Sequence, residues 1–152
     1  MTIYIDGDAC PVKSFIIDQA SKQSIKVIIV ISICHISTKN KNNAEYMVVD
    51  NVNQSVDMMI INRARKNDIV ITDDYGLASI LLMKKVFCLS NRGLIYTLEN
   101  IDHLLFKKHI NAKVMKGGGK IKGNSKRNKE DDAQFAKSLD KVMKQSLYSP
   151  HA

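Results

Sequence analysis

Residues 26–32 read Lys-Val-Ile-Ile-Val-Ile-Ser, with five β-branched residues in succession and no polar alternation. A strand of this kind is covered on both faces, so it belongs in the middle of a sheet with helices on either side. Shorter apolar runs at 3–6, 46–49, 68–72 and 86–89 repeat the theme. Between them lie helical spacings. Phe15, Ile16 and Ala20 form one apolar face, and Val56, Met59, Ile60 and Ala64 a second within residues 55–66. Gly76 opens a turn into a helix over 77–84, and Thr97 caps a helix running to about 108. Strands and helices alternating this closely give parallel βαβ units. The expected fold is α/β: an open, mostly parallel sheet of about five strands with flanking helices. The pattern does not give strand order.

At 152 residues the chain has the length of one domain with a sizeable core. The longest apolar stretch, 27–33, is far short of the roughly 20 residues that span a bilayer. No basic segment followed by an apolar one opens the chain, so a cytoplasmic location is expected. Cys10, Cys34 and Cys88 lack a CxxC spacing, which argues against a disulfide framework or a structural zinc site. Cys34 and Cys88 read as small core residues. Cys10 sits at an expected helix N-terminus, a position that can lower a thiol pKa.

The net charge of +8 is unevenly placed. Residues 1–100 hold 11 Lys and Arg against 10 Asp and Glu; the remainder holds 12 against 5. The expected organisation is a core over 1–108, a basic Gly/Lys-rich flexible loop over 109–129, and a helix over 130–148 that packs back on the core. Together they make one domain. Lys120, Lys122, Lys126 and Arg127 in the loop suit a phosphate-bearing polyanion such as RNA, and equally a solubilising linker.

The chemistry concentrates in aspartates. Asp6 and Asp8 end the first strand, Asp73 and Asp74 end the fourth, and Asp57 begins the intervening helix. In a parallel sheet, strand C-termini and the N-termini of the following helices share one edge, where ligands collect. Carboxylates gathered there repel unless a cation or proton intervenes. Mg²⁺ or Mn²⁺ suits such an oxygen-only set. Each acid also has an ordinary reading alone: Asp8 as a helix N-cap with Pro11 in the first helical turn, Asp57 as a first-turn acid, and one of Asp73 and Asp74 as a turn former. Their coincidence on one edge favours Asp6, Asp8, Asp57 and Asp74 as a metal site. Arg92, in the turn Asn91-Arg92-Gly93 after the fifth strand, could bring a guanidinium to a phosphate at the same edge. Gly117-Gly118-Gly119-Lys120 lacks the spacing of a Walker loop. His35, His103, His109 and His151 show no metal-ligand spacing.

The segment Ile5-Asp6-Gly7-Asp8-Ala9-Cys10-Pro11 resembles the opening signature of the YaiI/YqxD family of uncharacterised bacterial proteins. The resemblance continues through Asp57, Ile60-Ile61, the run from Asp68 to Asp74, Leu77-Ala78, Asn91-Arg92-Gly93, Gly118, Asp131, Phe135, Leu139 and Asp140. It covers nearly the whole chain. The family commonly shows Asp-Ala-Asp where Asp6-Gly7-Asp8 stands, and often a second acid at the position of Met58. A Gly-Gly-Pro often stands where this chain has Gly118-Gly119-Lys120. The family is similar to PIN-like domains, α/β folds that cluster acids around Mg²⁺ or Mn²⁺ and cleave RNA. The resemblance therefore implies a PIN-like core, with Asp6, Asp8, Asp57 and Asp74 as metal ligands and catalytic residues.

Three functions follow as expectations. The first is a metal-dependent ribonuclease, with Arg92 and the basic tail orienting the polyanion. The second is a phosphatase resembling the haloacid dehalogenase type, with Asp6 as nucleophile; its further Thr/Ser and lysine motifs have no clear counterpart here. The third is a non-catalytic RNA-binding protein.

Overall fold

The computed structural model describes residues 1–7, 10–33, 44–50, 55–123 and 125–152. Asp8, Cys34, His35 and the expected loop over 38–43 lie outside the described residues. The elements run β1 (Thr2–Asp6), α1 (Lys13–Lys22), β2 (Lys26–Ser32), β3 (Glu45–Val49), α2 (Ser55–Arg63), β4 (Ile69–Ile71), α3 (Tyr75–Met83), β5 (Phe87–Leu89), β6 (Ile95–Tyr96), α4 (Leu98–Lys116) and α5 (Lys129–Tyr148). The strands form one sheet in the order β3-β2-β1-β4-β5-β6. All neighbours are parallel except β5 and β6, which are antiparallel. The fold is thus α/β, with a largely parallel open sheet, as the alternation of strands and helices indicates.

Alternate residues of each strand face opposite sides, and two cores result. Ile3, Ile5, Ile29, Ile69, Ile71 and Leu89 pack on one side against Ile16 and Ala20 of α1 and Phe135, Leu139, Val142 and Met143 of α5. Tyr4, Ile28, Val30, Val70 and Cys88 pack on the other side against α2, α3 and Ile101 of α4. The run over 27–31 is continuous because both sides of β2 are covered.

Several local expectations are corrected. α1 begins at Lys13 with Val12 at its N-cap and no side-chain cap, so Pro11 stands in the turn before the helix. Gly76 lies inside α3, whose N-cap is Asp74. The short strand β6 was not expected, and it forms because Leu89 and Ile95 pair across the turn. α4 runs on to Lys116, so residues 109–116 of the expected loop are helical. Ile110, Val114 and Met115 in that stretch are exposed. Their surroundings are polar, but alanine, lysine and methionine propagate a helix well without packing.

α5 is fastened to the turn after β5. Gly93 has φ +89°, and a Cβ on it would lie 2.8 Å from backbone atoms of Gln134 and Phe135. Only glycine meets both demands. The Ser138 hydroxyl donates to the Gly93 carbonyl at 2.6 Å. Further along, Ser146 donates to the Asn67 carbonyl at 2.6 Å.

Candidate metal centre

β1 and β4 are adjacent, yet the chain leaves β1 toward β2 and β3 and returns to β4 on the other side. Their C-terminal ends therefore flank the topological switch point, where an open α/β sheet has a natural crevice. Asp6 ends β1 and Thr72 follows β4, one step beyond the pair Ile5 and Ile71. The buried Thr72 hydroxyl donates to Asp6 Oδ2 at 2.9 Å. The same hydroxyl accepts the Asp74 N–H at 3.0 Å. Asp74 Oδ1 in turn accepts the Leu77 N–H at 3.1 Å, capping α3. Asp74 is thus both a helix cap and a neighbour of Asp6.

Asp57, in the first turn of α2, completes the group. Its carboxyl is pushed up to about 6, chiefly by burial and then by the charges of Asp74 and Asp6. A hydrogen bond with Asp74 adds to the shift, and Lys108 opposes it. Below about pH 6 the proton on Asp57 lies toward Asp74, in a place a cation could take.

Gly7 keeps β1 close to β2 at this edge. A Cβ there would fall 2.5 Å from Ile29 Cγ2 and 2.7 Å from Ile31 Cγ2. With these two isoleucines in place, alanine would force a neighbour to move.

The structure sorts the other candidates. Asp73 turns away from the three acids: its carboxylate accepts the Asn91 N–H at 2.9 Å and the Asn91 side-chain amide at 3.0 Å. Cys10 donates to Asn91 Oδ1 at 3.2 Å. Burial pushes its thiol up to about 11, the opposite of what an exposed helix N-terminus would do. Cys88 is buried and pushed up to about 12. Arg92 pairs with Asp131 at 3.4 Å and donates to the Ser125 carbonyl. Arg127 pairs with Asp132 at 2.7 Å and donates to the Asn91 carbonyl at 2.6 Å. Both arginines expected on phosphate instead clamp the basic segment and the first turn of α5 to the turn after β5. Lys120, Lys122 and Lys126 are exposed.

The structure thus places Asp6, Asp57 and Asp74 at one end of the sheet, within electrostatic reach of one another. Their oxygen-only chemistry fits Mg²⁺ or Mn²⁺. Among the described residues, however, no three His, Cys, Asp or Glu side chains are grouped closely enough to hold one ion. Thr72 is the member that sequence reasoning passes over, since a threonine ending a strand reads as an ordinary β-former. Its signal is position: it stands two residues before Asp74 and in register with Asp6.

Comparison with known proteins places the chain in a family. Residues 4–145 match the model described as "Uncharacterized BCR, YaiI/YqxD family". A UPF0178 protein of Alkaliphilus metalliredigens is 43% identical over 147 residues, covering 97% of this chain and 94% of the relative. A UPF0178 protein of Clostridium perfringens is 45% identical over 140 residues, covering 92% and 93%. One of Ruminiclostridium cellulolyticum is 42% identical over 139 residues, covering 91% and 90%. No solved structure matches significantly. Among the described residues no helix is long and apolar enough to cross a membrane. The chain belongs to the YaiI/YqxD family.

Proposed function

We propose that this member of the YaiI/YqxD family is a metal-dependent ribonuclease, in which Asp6, Asp57 and Asp74, with Asp8, hold Mg²⁺ or Mn²⁺. The observation that carries the reading is that acids from three separate elements lie at one end of the sheet within electrostatic reach of one another. Asp6 and Asp74 meet through Thr72 at the switch point, and Asp57 reaches Asp74 from α2. Asp6 and Asp74 each have a donor of their own, from Thr72 and Leu77, and Asp57 is the member whose carboxyl is raised by the other two.

The protein's own groups have distinct tasks in this scheme. Thr72 and the Leu77 N–H fix the rotamers of Asp6 and Asp74, so their carboxylates are positioned before any ligand arrives. Below about pH 6 Asp57 holds a proton that a bound cation would displace. When bound, a divalent cation neutralises charge building on the phosphoryl oxygens and makes water a better nucleophile. Lys120, Lys122 and Lys126 supply attraction for a polyanion, while Arg92 and Arg127 hold the segment that carries them.

Asp57→Asn is expected to lose Mn²⁺ binding in calorimetry together with cleavage of a labelled single-stranded RNA. Mn²⁺ binding and cleavage both retained would overturn the site. Hydrolysis of small phosphomonoesters with RNA left intact would favour the phosphatase. RNA binding in chelator, with no cleavage under any divalent ion, would favour a non-catalytic binding protein.

A further inference from the structure

Beside the three acids lies a cleft of about 640 Å³ whose described lining contains three lysines and no acid. One wall is α4, which contributes Lys107, Lys108 and Asn111. The other is the segment after α4, with Ile121 and Lys122. Tyr75, the residue after Asp74, also lines the cleft. Lys107 and Asn111 are four residues apart and Lys108 and Asn111 three, so all three share one side of the helix. The cleft adjoins the acids on two counts: Tyr75 is bonded to Asp74 along the chain, and the Lys108 charge is felt at Asp57.

This combination is selective. Lysines on facing walls suit a string of phosphates, because each wall can reach the backbone of a chain lying between them. Tyr75 offers an aromatic ring, on which a base of any identity can stack. The Asn111 amide can donate to and accept from base edges or a 2′-hydroxyl. The volume is that of a pocket for a drug-sized ligand, and so for one or two nucleotides rather than a double helix. An acidic peptide would match the lysines but would make no comparable use of ring and amide.

We propose that this cleft holds a single-stranded RNA segment and leads it to the acids. The assignment deepens the ribonuclease reading and rests on it for the direction in which the strand runs. The strand's phosphates lie between Lys107 and Lys108 on one side and Lys122 on the other. A base stacks on Tyr75, which sets the next phosphodiester beside Asp74.

The test is binding in chelator, where cleavage and metal loading play no part. Fluorescence anisotropy would follow a labelled oligouridine of about ten nucleotides over a series of salt concentrations. The double variant Lys108→Gln/Lys122→Gln is expected to weaken binding at least tenfold. It should also flatten the slope of log affinity against log salt by about 1.4, at roughly 0.7 for each single-strand phosphate that no longer has its lysine. Tyr75→Leu should weaken binding about tenfold with little change in that slope, as loss of one stacked base does. Lys22→Gln/Lys144→Gln, on solvent-facing surfaces of α1 and α5, should leave both quantities unchanged. An affinity and slope unchanged in the Lys108/Lys122 double variant would overturn the cleft, as would a duplex of the same length bound as tightly as the single strand. The two proposals fail separately: cleavage lost everywhere with these binding effects intact would sink the nuclease and leave the cleft.

Discussion

The two edges of the sheet each carry half-buried or buried aspartates, and Asp68 at one edge and Asp57 at the other are held in opposite ways. At the edge where β4 begins, Asp68 accepts the Thr2 N–H and the Arg65 N–H, both at 2.8 Å. Each oxygen has its own backbone donor, and the carboxylate ties the start of β1 to the turn before β4. At the opposite edge, Asp57 meets Asp74 and feels Asp6, and its carboxyl is raised by that company. An acid with dedicated donors holds a fold together. An acid whose neighbours are other acids costs stability and is retained for something else.

The sharpest break of this contrast is Asp68→Ala. It strands two backbone N–H groups at a buried position, so a loss of about 3 kcal/mol is expected. Urea denaturation measures it, and Mn²⁺ binding should be untouched. A stability loss under about 1 kcal/mol would make the two edges equivalent.

Asp57→Asn should act in the other direction. In the folded chain the carboxyl holds its proton up to about pH 6, against an ordinary value of 3.8. The folded state then binds more protons than the unfolded one across this window, so its contribution to stability falls as pH rises from about 4 to 6. Above that window the native chain carries the full cost and the asparagine variant does not. In chelator at pH 7.5 the variant should melt roughly 2–4 °C higher, the shift that about 1 kcal/mol gives a domain of this size. The difference between the two stability curves should shrink below pH 4. Melting temperatures that stay parallel at every pH would show that Asp57 feels no company of acids.

The smallest expected effect is at Cys10, which lies at the acid edge but behaves like the opposite one, satisfied by Asn91. With its thiol at about 11, only about one part in a thousand is ionised at pH 8. Alkylation by iodoacetamide, followed by mass spectrometry, should therefore be negligible until denaturant is added. Rapid labelling of the native chain would mark that edge as more open than the geometry implies.

The fold was legible where local chemistry acts alone. Residues 26–32 form β2 over the bounds the sequence suggests, because five β-branched residues admit few other states. Strand β6 was not legible, because two residues carry no period and form a strand only when Leu89 is beside them. Residues 109–116 looked like a loop because the usual helical signal is a buried stripe, and here the helix outruns its packing against the core. At the candidate site, Asp6, Asp57 and Asp74 could be placed on one edge from topology alone. The roles of Arg92 and Arg127 could not. The partner of Arg92, Asp131, lies far along the chain, and which of several basic residues an acid selects is decided by the tertiary fold.

The position of α5 in the chain has a consequence for how the molecule is made. One face of the sheet, with Ile3, Ile5, Ile69, Ile71 and Leu89, is shared between α1 and α5. Until residues 129–148 have been made, the part of that face covered by α5 has no cover, although β1 to β6 have already been synthesised. The sheet must therefore pass through an interval in which a row of isoleucines is open to water and to other nascent chains. Synthesis of the last helix ends that interval when Ser138 reaches the Gly93 carbonyl.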